Sequence, residues 1–183
     1  MSTFFTNYHN LTDNGQAWSR GVEFLIQKKM AKDFYGLVSA SLFRCRYQDY
    51  YGKWRDRIYD NRYIFNLIGG YKPNNKWEFS IRWNFAGGAP YTPFDQEKSR
   101  LADSAVIDAT RVNAERYPDY HTLNIRFDRR FYFNQSTLVA YFSLWNAYNQ
   151  KNIATYYWNK TDNKQDTIYQ WSFLPIGGFE FEF

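Results

Sequence analysis

The chain has 183 residues, enough for one ordinary domain. Aromatic residues make up 22% of it, yet mean hydropathy is −0.69 and no apolar run approaches the roughly 18 residues that a membrane helix needs. The net charge of +5 comes from Lys and Arg interleaved with Asp and Glu, as in IRFDRRF and KWRDRIYD, so no segment concentrates one sign and no nucleic-acid partner is expected.

Many aromatics with low mean hydropathy imply strands whose polar residues offset the apolar ones, and a two-residue period runs through most of the chain. WSRGVEFLIQKK (18–29) sets Val22, Phe24 and Ile26 opposite Glu23 and Gln27. FYGLVSASLFRCRY (34–47) sets Val38, Ala40 and Leu42 opposite Ser39 and Ser41. NRYIFNLIGGYK (61–72) sets Tyr63, Phe65 and Leu67 against Arg62 and Asn66. In KWEFSIRWNFAGG (76–88), Trp77, Phe79, Ile81, Trp83 and Phe85 share one face, and Glu78, Ser80, Arg82 and Asn84 the other. HTLNIRFDRRF (121–131) alternates Leu123, Ile125 and Phe127 with Asn124, Arg126, Asp128 and Arg130. STLVAYFSLWN (136–146) is less regular, with Leu138, Ala140, Phe142 and Leu144 on the apolar side. The last strand, over 171–183, ends in PIGGFEFEF, where Phe179, Phe181 and Phe183 oppose Glu180 and Glu182.

Short turns at 29–33, 72–76 and 132–136 alternate with long polar links at 48–61, 87–120 and 147–170. Short connections on one edge and long ones on the other are the pattern of an outer-membrane barrel, with periplasmic turns and extracellular loops. The reading is therefore all-β: an antiparallel up-and-down meander of about seven to eight long strands, part of a transmembrane outer-membrane β-barrel. Trp77, Phe79, Ile81, Trp83, Phe85, Leu123, Ile125, Phe127, Phe179 and Phe181 are then expected to face lipid, with Glu78, Arg82, Arg126 and Glu180 facing inward. A soluble sheet would need a second layer of comparable apolar area to cover those faces.

Little in the chain suggests catalysis or a cofactor. A single Cys45 excludes an intramolecular disulfide framework, and His9 and His121 alone do not make a metal cluster or a triad. Arg126, Asp128 and Arg130 read as a charge ladder paired across strands. FAGGAPYTPFD marks a strand exit and a constrained loop with no helix placed to make a phosphate-binding turn, and Tyr91, Thr92, Phe94 and Asp95 in it are candidates for ligand contact. Asn146, Asn149 and Asn152 suggest a loop-stabilising network. The triplets NLT, NQS and NKT match the glycosylation pattern by chance in a bacterial outer-membrane context. The N-terminus lacks the basic and apolar regions of a secretory signal.

NGQAWSRGVEFLIQKK, YDNRYIFNLIGGYKPNNKWEFSIRWNFAGGAPYTPFD, NAERYPDYHTLNIRFDRRF and LWNAYNQKNIATYYWN…IYQWSFLPIGGFEFEF occur in that order. In this succession, over residues 7 to 183, the chain resembles the C-terminal barrel of TonB-dependent receptors of Bacteroidota. The resemblance implies energised import of a scarce ligand of the siderophore, cobalamin or glycan class, through a barrel of about 22 strands around a plug. It implies no enzymatic activity and no cofactor. It also implies that Phe179, Phe181 and Phe183 form the signal read by the barrel-assembly machinery, with the C-terminus in the periplasm. Residues 1–183 are then expected to be one unit of such a barrel, inactive alone, with plug and N-terminal strands absent, and with TonB engaged only through those missing regions. With about seven strands the sheet is expected to stay open, unless STFFTNYHN adds an eighth. Two other readings stand beside this one: an autonomous eight-stranded outer-membrane barrel with a structural or adhesive role, and a soluble aromatic-rich module that stacks on sugars.

Overall fold

A computed structural model describes residues 15–183; the proposed strand in STFFTNYHN lies outside the described residues. The long strands are β1 (Ala17–Ala31), β2 (Phe34–Gln48), β4 (Tyr63–Asn74), β5 (Trp77–Ala86), β8 (Tyr120–Tyr132), β9 (Thr137–Trp145) and β12 (Leu174–Glu182). They pair in the order β1-β2-β4-β5-β8-β9-β12, each with its sequence neighbour among the long strands and always antiparallel. A short β3 (Trp54–Asp56) adds to the end of β2 beyond β4, completing an eight-stranded sheet.

The short turns have local causes. Lys32 and Asp33 join β1 to β2 with both φ angles positive (51° and 66°), the geometry whose twist suits a two-residue hairpin. Between β4 and β5, the Asn74 side chain accepts from the backbone N–H of Lys76 (2.9 Å) and Trp77 (3.0 Å) and so closes the turn itself. β4 starts at Tyr63 rather than at 61, because Arg62 takes a left-handed φ of 69° that a strand cannot continue through.

The long links carry structure that alternation did not disclose. Residues 87–120 contain β6 (Pro90–Tyr91), helix α1 (Gln96–Ala102), a 3-10 turn (Ala109–Arg111) and β7 (Glu115–Arg116), with β6 and β7 paired. Residues 147–170 contain the hairpin of β10 (Ile153–Asn159) and β11 (Lys164–Tyr169).

One register runs across the sheet. The row Phe34, Tyr71, Phe79, Phe127, Phe142, Gly177 crosses six strands, and the row Ile26, Val38, Leu67, Trp83, Leu123 lies nearer the links. Arg82 and Trp83 therefore lie on opposite faces, as do Arg126 and Phe127. Irregularities in the long ladders fall at Lys28/Ala31 and Tyr71/Asn74, both at the short-turn end. The sheet is open: among the described residues β1 pairs with β2 alone and β12 with β9 alone.

Two tyrosines interlock strands on the polar face. Tyr35 is paired with Gly70, and a Cβ at Gly70 would come within 2.0 Å of the Tyr35 ring. The ring lies across the glycine, and its hydroxyl donates to Glu78 on β5 (2.8 Å). Tyr141 treats Gly178 on β12 in the same way, with 2.6 Å between its hydroxyl and a Cβ placed there. Gly70→Ala should therefore destabilise the fold by about 1–3 kcal/mol through overpacking. Adding Tyr35→Ser should recover part of that loss, as measured by urea unfolding in detergent micelles.

Candidate functional site: an apolar sheet face and the linked loops

The apolar face of the sheet has no second layer over it among the described residues. Phe24 on it is 71% and Phe179 78% exposed, and the two buried hydrophobic residues among those described, Val139 and Trp158, lie elsewhere, on the polar face and in the link 147–170. The ten residues proposed to contact lipid (Trp77, Phe79, Ile81, Trp83, Phe85, Leu123, Ile125, Phe127, Phe179 and Phe181) all lie on this face by register. Phe183 follows the end of β12 and is exposed.

The face is zoned along the strands. At the short-turn end Phe34 stacks on Tyr71 (4.5 Å), Trp77 on Phe79 (6.1 Å), and the Arg129 guanidinium lies over Trp77 (4.6 Å). At the link end Tyr63 stacks on Phe85 (5.9 Å), Phe85 on His121 (6.0 Å), and His121 Nδ1 shares a hydrogen bond with the Tyr148 hydroxyl (2.8 Å). Val38, Leu67, Ile81, Leu123, Ile125 and Leu144 occupy the rows between, with Trp83 the one ring among them, in register with Leu67 and Leu123. An aliphatic band between two aromatic girdles is the zoning of a bilayer-spanning surface.

The opposite face is a polar network with apolar members. Asn84 donates to Asn66 (2.6 Å), and Asn66 to Ser39 (3.0 Å), linking three strands. Arg130 pairs with Glu78 across the ladder (2.9 Å). Arg126 instead grips Asp128 two residues along its own strand (2.9 and 3.0 Å) and stacks over Tyr141 (4.3 Å). The expected cross-strand ladder thus holds for Arg130, whereas Arg126 pairs along β8, because residues two apart share a face and a long guanidinium spans them. Leu25, Leu37, Ile68 and Val139 also lie on this face by register, a departure from strict polar alternation.

The three long links converge on Arg116 and on a tyrosine cluster. Arg116 donates to the Asp60 carboxylate (2.5 Å) and backbone carbonyl, to Asp56 (2.8 Å), and to the Gly88 carbonyl (2.9 Å). Asp60 is fully buried and accepts from the backbone N–H of Cys45 on β2 (2.6 Å). Asn113 donates to the Asp56 carbonyl (2.8 Å), and Arg55, held by Asp49 (2.5 Å), reaches the carbonyls of Thr110 and Val112 (both 3.3 Å). Burial raises the Asp56 carboxyl, but the Arg116 hydrogen bond and the charges of Arg116, Arg44 and Arg62 outweigh it, so its pKa lies below the ordinary value. Sequence reasoning missed Arg116, Asp56 and Asp60, which lie in stretches where both signs of charge interleave; no local signal shows that they meet.

The four loop residues proposed for ligand contact are all engaged in internal contacts. Tyr91 packs against Tyr117 (4.5 Å) and Tyr156 (5.1 Å) and donates to Glu115 (2.8 Å); burial first, then that carboxylate, pushes its pKa up. Thr92 accepts from the Asn113 N–H (3.0 Å), and Phe94 meets Trp158 edge-on (6.3 Å). Asp95 caps α1 by accepting from the Lys98 N–H (3.0 Å). Tyr156 and Trp158 belong to β10, so links 87–120 and 147–170 form one packed body.

The asparagines tie strand ends to loops. Asn146 exchanges hydrogen bonds with Gln150 (2.8 and 2.9 Å), Asn152 with the backbone of His121 (2.8 and 3.0 Å), and Asn149 accepts from the Phe173 N–H (3.1 Å). Among the described residues no group of three or more His, Cys, Asp or Glu side chains could hold a metal ion. The chain matches no protein-family model and no curated protein.

Removing Arg116 leaves Asp60 buried without its closest cation, so Arg116→Met should cost about 3 kcal/mol. It should also make links 48–61 and 87–120 exchange amide hydrogen faster while the sheet stays protected. The same links should loosen in acid. A carboxyl held below its ordinary pKa of 3.8 stabilises above that value and loses the contribution as pH falls through its lower folded value. The protection of the link amides, relative to their intrinsic exchange rate at each pH, should fall below about pH 4, and less steeply in Arg116→Met.

Proposed function

We propose that this chain spans an outer membrane as the C-terminal barrel portion of a TonB-dependent receptor, serving energised uptake of a scarce ligand and having no catalytic role of its own. The observation that carries the membrane reading is the apolar sheet face, zoned into an aliphatic band between aromatic girdles, with no layer over it among the described residues. Strand lengths support it: β5, β9 and β12 have 10, 9 and 9 residues, the length of a tilted membrane-crossing strand. The linked loops lie at one end and the short turns at the other, which suits extracellular and periplasmic sides respectively, with the C-terminus periplasmic.

The larger-barrel reading rests on the open edges. Seven long strands in antiparallel succession leave β1 and β12 pointing the same way, so they cannot close on each other in an antiparallel barrel. In a larger barrel each would pair with a further strand, removing exposed edges that invite aggregation. The exposed alternate phenylalanines Phe179, Phe181 and Phe183 beside the free edge of β12 suit recognition by the barrel-assembly machinery. The siderophore, cobalamin or glycan class of ligand comes from the family resemblance, as does energy coupling through TonB, by way of other regions of such a receptor.

Phe24 and Leu25 are adjacent on β1, similarly exposed at 71% and 65%, and on opposite faces. In a bilayer Phe24→Arg should cost about 2–4 kcal/mol and Leu25→Arg nearly nothing, by denaturant unfolding from lipid vesicles. Equal costs for the two, or a chain that stays monodisperse without detergent and ignores vesicles, would overturn the membrane reading.

A further inference from the structure

Where the apolar band ends at the link side of β1 and β2, the same face turns basic. On β1, Val22 gives way to Arg20 and Trp18; on β2, Leu42 gives way to Arg44 and Arg46. Trp18 pairs with Arg46, Arg20 with Arg44, and Val22 with Leu42, so apolar and basic residues form consecutive rows. Arg62, just before β4, joins Arg20, Arg44, Trp18, Val22 and Leu42 in lining a shallow depression of about 630 Å³.

The carboxylates there do not neutralise the arginines. Four guanidiniums (Arg44, Arg46, Arg62 and Arg116) meet Asp56 and Asp60, and a fifth, Arg20, lies beside them. Arg116 makes the close contacts to both, at 2.8 and 2.5 Å. Arg44 approaches them at 3.7 and 3.8 Å and Arg62 at 3.4 and 3.9 Å, with side chains 47% and 43% exposed. Among the described residues Arg20 contacts no carboxylate, and it lies over the Trp18 ring at 4.9 Å. Asp119, the next acidic group in the region, is taken by the Tyr63 hydroxyl (2.9 Å) and the Gly88 N–H (3.2 Å).

Resting on the membrane reading above, we infer that Arg20, Arg44 and Arg62 form a binding site for the phosphate of a lipid headgroup in the leaflet at the link end, with Val22 and Leu42 receiving the first methylenes of its chains. A planar guanidinium matches phosphate oxygens two at a time and is more weakly hydrated than an ammonium, so Arg suits this boundary. Trp18 suits the same depth, with an apolar ring and one donor. The arrangement needs both chemistries at once, a phosphate above and hydrocarbon below, and a free phosphate ion supplies one of them.

The test measures lipid bound to the full chain in dodecylmaltoside micelles by native mass spectrometry. Dilauroyl phosphatidic acid is compared with dilauroyl phosphatidylcholine and inorganic phosphate. Phosphatidic acid should bind tightest. Arg20→Gln, which breaks no ion pair among the described residues, should weaken it about fivefold, and Arg20→Gln with Arg44→Gln about thirtyfold. Arg20→Lys should keep the preference for phosphatidic acid over phosphatidylcholine, and Arg129→Gln, at the opposite end of the sheet, should leave binding unchanged. Equal binding of the two lipids, or insensitivity to the Arg20 and Arg44 variants, overturns the site while leaving the membrane reading intact. Inorganic phosphate binding as tightly as the lipid shows a free-ion site and also overturns it. A chain that takes up no detergent or lipid overturns both.

Discussion

Side chains in a strand alternate, so a register slip of one residue exchanges the two faces of everything downstream. The whole molecule depends on that parity being kept through six successive ladders. It is kept because irregularities fall at the short-turn ends, at Lys28/Ala31 and Tyr71/Asn74, where an extra residue shifts no side chain in the middle of the strands. An interior bulge would place Arg82 or Arg126 among Phe79, Ile81 and Phe127. Tyr35 over Gly70 and Tyr141 over Gly178 oppose such slips, since each ring fits where its partner has no side chain.

Parity also explains how much of the fold is legible in the sequence. KWEFSIRWNFAGG and FEFEF display both faces within one strand, and each apolar residue in them stands where alternation puts it. Turns are legible because Lys32-Asp33 and Asn74 act locally. The link assembly is not legible, because its decisive contacts join residues 56 apart in sequence, as between Arg116 and Asp60. Such a pair leaves no periodic trace. Leu25 and Ile68 mislead for a related reason: a broad polar face tolerates some aliphatic residues, so composition on that side is a weaker guide than on the apolar side.

The two faces distribute interaction energy differently. On the apolar face, the aliphatic side chains make no polar bonds, and most of the rings, Trp83 excepted, stack towards the two ends. On the polar face, Ser39, Asn66 and Asn84 share hydrogen bonds across strands, and charged groups pair at short range, which fixes neighbouring strands in one geometry. The links add a third layer, in which one arginine satisfies two carboxylates and two carbonyls from different segments. Concentrating four acceptors on one guanidinium makes the link positions interdependent, whereas each strand pair is fixed by its own ladder.

Topology restricts how the open sheet can be completed. A second copy related by a two-fold axis along the strand direction would set β12 of one copy beside β1 of the other. Those strands run parallel, because six antiparallel steps separate them. A two-fold axis across the strands would make the new pairs antiparallel but invert one copy, putting its links on the side of the other's short turns. Neither arrangement keeps both the antiparallel ladder and the sidedness. Closure therefore requires an odd number of further strands between β12 and β1, with the outermost ones antiparallel to both. A single strand would complete a small barrel, and a longer odd run a large one. In either case each added strand must carry its apolar residues in phase with Phe179 on one edge and Phe24 on the other.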